Sequence, residues 1–66
     1  MTYGQLAKNY CGVELPVQVL QTPAGYYLGT WHPQEGPYSR ESGYFPTKEA
    51  AEAALVSGNW MQRDHP

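Results

Sequence analysis

The chain has one cysteine, Cys11, in 66 residues. No intrachain disulfide can form, and a lone thiol fits a reducing compartment better than the secretory route. Charge is equally sparse. Lys8, Arg40, Lys48 and Arg63 stand against six acidic residues, for a net charge of −2 with no run of either sign. Neither a basic nucleic-acid groove nor a dense acidic surface is written in such a sequence. No stretch approaches the ~18 consecutive apolar residues of a membrane span. Residues 1–10 lack the basic and then apolar segments of a secretory signal. These absences point to a cytoplasmic protein that stays off the membrane.

Catalytic and cofactor signatures are missing as well. The seven glycines never fall into a phosphate-cradling spacing, and neither a Gly-x-Ser-x-Gly elbow nor a His-Glu-x-x-His helix occurs. Cys11 and His32 could supply a nucleophile and a base, but no third group is marked, and a free cysteine more often behaves as a small hydrophobe. Cys11, His32 and His65 lack the close paired spacing of structural zinc sites. The expectation is no enzyme, no cofactor and no metal.

What the chain does have is apolar and aromatic bulk: hydrophobic residues are 41% and aromatics 14%, against 15% charged. That composition folds rather than staying disordered. The length suits one small domain over residues 1–66, whose core supplies about 3–5 kcal/mol, so a partner or second copy is a plausible support.

Prolines and glycines divide the chain into short elements. Gln5 to Tyr10 has Leu6 and Tyr10 four apart and ends at Gly12, which suits a short helical turn, although residues 1–15 could also form a strand or a cap. Val17 to Thr22 reads as a strand, Thr22-Pro23-Ala24-Gly25 as a turn closed by a glycine bulge, and Tyr26 to His32 as the returning strand. After a Pro/Gly loop, Tyr38 to Phe45 reads as a polar edge strand with Tyr38, Arg40, Ser42 and Tyr44 on one face. Lys48 to Ser57 reads as a helix with Thr47 as N-cap, Glu49 in its first turn and Gly58 past its end. Its stripe of Ala51, Ala54 and Leu55 should pack on Val17, Val19, Leu28 and Phe45, with Trp60 folding back and residues 62–66 fraying. The expected fold is α+β, a three-stranded antiparallel sheet packed by one C-terminal helix.

A short alanine face cannot cover a sheet bearing Tyr26, Tyr27, Trp31, Tyr38 and Tyr44. Either residues 1–15 cover the surplus rings, or the rings form a patch that binds a protein partner or a second copy. Within Gly36 to Gly43, Arg40 reads either as an anion or carboxylate contact with Tyr38 stacking beside it or as a solvated edge residue near Glu35 or Glu41. The candidate binding residues are Tyr27, Trp31, Tyr38 and Arg40, on a small non-enzymatic interaction module. The alternative is a nucleic-acid-binding sheet with Arg40 and Lys8 on phosphates.

Residues 26–55 run as an aromatic strand, a Gly/Pro loop, a second strand and then Tyr44-Phe45-Pro46-Thr47-Lys48-Glu49-Ala50-Ala51 opening a helix. This order resembles the sheet-plus-helix unit of tyrosine-recombinase arm-DNA-binding domains, in which an aromatic-Pro-Thr-Lys step also leads into the helix. The resemblance implies the same fold and a sheet entering a DNA groove. That family carries several Lys and Arg on its strands, whereas here Arg40 is the one candidate at the matching strand. The chain also looks like small phage and plasmid accessory proteins, which implies binding to a host protein.

Overall fold

The computed structural model of the chain describes residues 2–64. The elements run α1 (Gln5–Cys11), β1 (Gln18–Thr22), β2 (Gly25–His32), β3 (Gly36–Phe45) and α2 (Lys48–Ser57). The strands form one antiparallel sheet in the order β1-β2-β3. The fold is therefore α+β, with the expected strands and C-terminal helix plus an N-terminal helix.

The hairpin joining β1 to β2 pairs Thr22 with Gly25 across a two-residue turn at Pro23 and Ala24. The Thr22 hydroxyl accepts the Ala24 N–H at 3.2 Å, so the turn is closed by a side chain. Gly25 stands at φ 138°, and a Cβ there would meet the Phe45 carbonyl at 3.0 Å.

Alternation along β2 separates two faces. Tyr26, Leu28 and Thr30 face the helices, while Tyr27, Gly29 and Trp31 face away. The core joins Val17, Leu28, Ala51 and Ala54, with Val19, Tyr26, Phe45, Leu55 and Trp60 packed around it. The small residues of α2 let its axis approach the large side chains of the sheet. Thr47 caps α2 by accepting the Ala50 N–H at 3.1 Å, and Gly58 ends it at φ 72°.

Residues 1–15, read as a short helical turn with a strand or a cap left open, supply both a helix and a short pairing. Tyr3 bridges Pro16, Gly4 N–H donates to Leu15 O at 2.9 Å and Val17 N–H to Thr2 O at 2.7 Å. Gly12 ends α1 at φ 70°. The tail is also tied down over residues 62–64, contrary to the expected fraying. Arg63 N–H donates to Glu41 O at 2.9 Å, and the Tyr10 hydroxyl donates to Asp64 O at 3.0 Å. Residues 65 and 66, including the candidate ligand His65, lie outside the described residues.

β3 departs from simple alternation. Its register against β2 shifts between Tyr27 and Gly29 and again between Thr30 and Trp31. Three β3 residues, Glu41 to Gly43, stand against the single Leu28, and Tyr38 is a further unpaired residue, so Tyr38, Arg40, Ser42 and Tyr44 do not share one face as a regular strand requires. The Leu28 N–H, opposite the first bulge, is taken by the Ser42 hydroxyl at 2.9 Å.

Candidate functional site

Two polar constructions face opposite ways from β3. The inward one centres on Glu41, whose side chain is fully buried. Its carboxylate accepts the Leu6 N–H at 3.0 Å and 3.1 Å and the Ala7 N–H at 3.4 Å. It also accepts the Ser39 hydroxyl at 2.6 Å and the Gln62 side-chain amide at 2.7 Å. The single Ser39 proton is committed to Glu41, so Thr30 must donate in the 2.6 Å contact between the two hydroxyls.

Gly4, the N-cap of α1, provides no side-chain cap. Glu41 takes that place from across the fold, setting a negative charge against the unsatisfied donors at the helix start. Burial pushes the Glu41 carboxyl upward, but the donors from Ser39, Leu6, Gln62 and Ala7 outweigh it. The carboxyl is held below its usual 4.5. This network fastens α1 and the tail to the sheet and is the structural partner of the open face behind it.

The outward construction centres on Arg40. Its register partner is Gly29, while that of Tyr44 is Tyr27. The bulge thus brings Arg40 and Tyr44 to β2 positions only two apart, although they are four apart in β3. Arg40 Nη1 donates to the Tyr44 hydroxyl at 2.7 Å, and the guanidinium carbon lies 5.0 Å from the Tyr44 ring centre. The ring of Tyr44 meets Tyr27 edge-on, with centroids 5.9 Å apart at 79°. Tyr27 is buried at 7% exposure by this cluster and by Gly29, where a Cβ would come within 2.7 Å of the Tyr27 ring. The Tyr27 hydroxyl is pushed above its usual 10.0, by burial first and then by Tyr44, with Arg40 acting in the opposite direction.

A cleft of about 220 Å³ runs along this face, lined by Thr22, Tyr27, Pro37, Tyr38, Ser39, Arg40 and Tyr44. Arg40 Nε is shielded from solvent and has no hydrogen-bond partner among the described residues. The Nη1 donation to Tyr44 leaves further guanidinium donors for a ligand.

Of the four candidate binding residues, Tyr27 and Arg40 come together on the open face. Trp31 shares that face, 48% exposed, at the far end of the sheet beside Gly36 and opposite Pro37. Tyr38 reaches the cleft rim, but its ring stacks on His32 with centroids 5.1 Å apart. Its hydroxyl is pushed above the usual 10.0, chiefly by a hydrogen bond shared with Cys11 and then by burial. Tyr44 belongs to the cluster and was not among the candidates, because four residues along a regular strand are about 13 Å. Arg40 does not turn to Glu41, which points to the other side of the sheet.

Lys8, the second cation considered for phosphate contact, sits on α1 against the opposite face from Arg40. His32 Nδ1 accepts the Gln34 and Glu35 N–H groups at 3.1 Å and 3.3 Å, which ties it to the β2–β3 turn. No cluster of three or more His, Cys, Asp or Glu suited to a metal occurs among the described residues. No described helix is long and apolar enough to cross a membrane. No protein-family model, curated protein or solved structure matches the chain.

Proposed function

We propose that the chain is a small non-enzymatic interaction module whose open sheet face docks an acidic segment of a protein partner. The carrying observation is the Arg40 guanidinium, held by Tyr44 beside a cleft on the face away from both helices, with Nε unpartnered among the described residues. A carboxylate offers a guanidinium paired, charge-assisted hydrogen bonds. Tyr27, Tyr44 and Trp31 supply flat, rigid contact area of the kind that carries interface energy. A cytoplasmic location accords with the single free thiol of Cys11.

A nucleic-acid role would need several cations on one face. Lys8 and Arg40 sit on opposite sides of the sheet, which favours the protein partner.

The test is a chemical-shift titration of the labelled protein with a glutamate-rich peptide, in parallel with a short duplex DNA. The peptide is expected to shift Arg40 Nε, Tyr44 and Tyr27. Arg40→Gln should weaken binding by about tenfold or more with the fold intact, since hydrogen bonds to charged groups are worth about 1.5–3 kcal/mol. A peptide that leaves these resonances unmoved, or duplex DNA that moves them in its place, overturns the reading.

A further inference from the structure

We infer that the outer edge of β1 pairs antiparallel with the same edge of a second copy of this chain, joining two three-stranded sheets into one continuous sheet. The inference stands apart from the Arg40 reading, because it concerns the sheet edge and not its open face.

The two edges of the sheet are treated differently. At β3 the chain's own tail reaches across, with Arg63 N–H donating to Glu41 O. Beside β1 the N-terminal segment pairs, among the described residues, as far as Val17, whose N–H donates to Thr2 O at 2.7 Å. That bond also sets the parity of the strand. Backbone groups alternate in direction, so those of Val19 and Gln21 point outward like those of Val17, while those of Gln18, Leu20 and Thr22 face β2. Among the described residues no other element donates to or accepts from the backbone of Val19 or Gln21.

The exposed stretch lacks the usual deterrents to edge pairing. Gln18–Thr22 contains no charge and no proline, and its pairing with β2 is regular from Gln18 to Thr22. Pro23, with no N–H, ends it on one side as the N-terminal segment ends it on the other.

The stretch is also self-complementary. A two-fold axis through Leu20 sets Leu20 against its own copy and Val19 against Gln21, so that the outward groups of Val19 and Gln21 are satisfied reciprocally. Leu20 lies opposite Tyr27 in the β1–β2 ladder and is half-buried. Pairing Leu20 with its copy therefore extends the apolar strip of the open face without interruption. On the helix side, a cavity of about 400 Å³ lined by Val19, Leu20, Gln21, Tyr26 and Lys48 leaves room for the partner strand's side chains. The paired strands themselves carry no charge, and Lys48 on the cavity wall is the cation each copy brings to this side. A five-residue edge spans only about 17 Å, and its pairing buries less than the ~1,200 Å² of a stable interface. The dimer is accordingly weak and concentration-dependent.

The test is light scattering over a dilution series, with amide hydrogen exchange at each end of it. The mass should rise from 7.4 kDa towards twice that value as concentration approaches about 1 mM. The Val19 and Gln21 amides should become protected at the concentrated end. Gln21→Pro removes an outward N–H and leaves the β1–β2 ladder intact, and Leu20→Lys sets like charges against each other at the axis. Each should weaken association at least tenfold while thermal unfolding still shows a folded chain. A wild-type chain that stays monomeric up to about 1 mM overturns the inference. So does a dimer that survives both substitutions. Association with an extended peptide at this edge without self-association would assign the edge to another protein and overturn it equally.

Discussion

The backbone N–H of Leu6 points between both carboxylate oxygens of Glu41, at 3.0 Å and 3.1 Å, across 35 residues of chain. One acidic side chain on β3 thereby starts the helix at the other end of the protein. Glu41→Ala strips the acceptor from Leu6, Ala7, Ser39 and Gln62 together. It is expected to cost about 3 kcal/mol, enough to unfold much of a domain whose core supplies about 3–5 kcal/mol. Glu41→Gln keeps one acceptor oxygen and should cost less. Urea unfolding checks the order, and an alanine variant within about 0.5 kcal/mol of wild type would refute the role assigned to Glu41.

The same network makes stability fall in acid. Glu41 is held below 4.5 in the folded chain, so the folded state binds its proton more weakly than the unfolded state does. The stabilisation is complete above 4.5 and is lost as the pH drops from there through the folded value. The thermal midpoint should decline over that acid range in wild type and more gently in Glu41→Gln. Parallel curves for the two proteins would remove Glu41 as the cause.

Gly4 and Gly43 form a paired comparison. A Cβ on Gly4 would sit 2.6 Å from Thr30 Cγ2 and 2.7 Å from Glu41 Oε2, whereas one on Gly43 meets nothing within 4 Å among the described residues. Gly4→Ala should loosen α1 and raise amide exchange at Leu6 and Ala7. Gly43→Ala should change stability by less than about 0.5 kcal/mol. Equal effects in a thermal melt would contradict the close seating of α1 on the sheet.

Tyr44 supports Tyr27 by its ring and Arg40 by its hydroxyl, so two substitutions separate these roles. Tyr44→Phe removes the acceptor for Arg40 Nη1, and the ring contact should keep stability within about 0.5 kcal/mol of wild type. Tyr44→Ala also removes the edge-on contact, at a cost of about 0.5–1.5 kcal/mol. It opens Tyr27 to water, so the Tyr27 hydroxyl should titrate closer to the ordinary tyrosine value in an ultraviolet pH titration. An unchanged Tyr27 titration would mean that Gly29 and β1 alone bury the ring.

Much of the fold can be read from local patterns. Thr47 and Gly58 bracket α2, Gly12 stops α1, and the Thr22 to Gly25 turn sets the first hairpin because each of these residues acts on its immediate neighbours. The pairing of Ala51 and Ala54 with Val17 and Leu28 follows from helix and strand periodicity. The site was less legible. Arg40 and Tyr27 stood out as a cation and a surplus ring, but Tyr44 joins them through a bulge that no composition or spacing announced. Glu41 was read only as a neighbour of Arg40, since most of its partners, the Leu6 and Ala7 N–H groups and the Gln62 amide, come from distant segments.

From the chain alone follow the element types, the sparse charge, the free thiol and the excess of aromatic surface, all properties of single residues or short windows. The assembled fold adds the seating of α1 on Glu41, the two bulges that turn Arg40 and Tyr38 to different neighbours, and the division of the sheet into a helix-covered and an open face. Those features depend on which distant groups find hydrogen-bond partners once water is excluded. A buried carboxylate is tolerated only where several donors converge on it, and that convergence exists only after β3, α1 and the tail have come together.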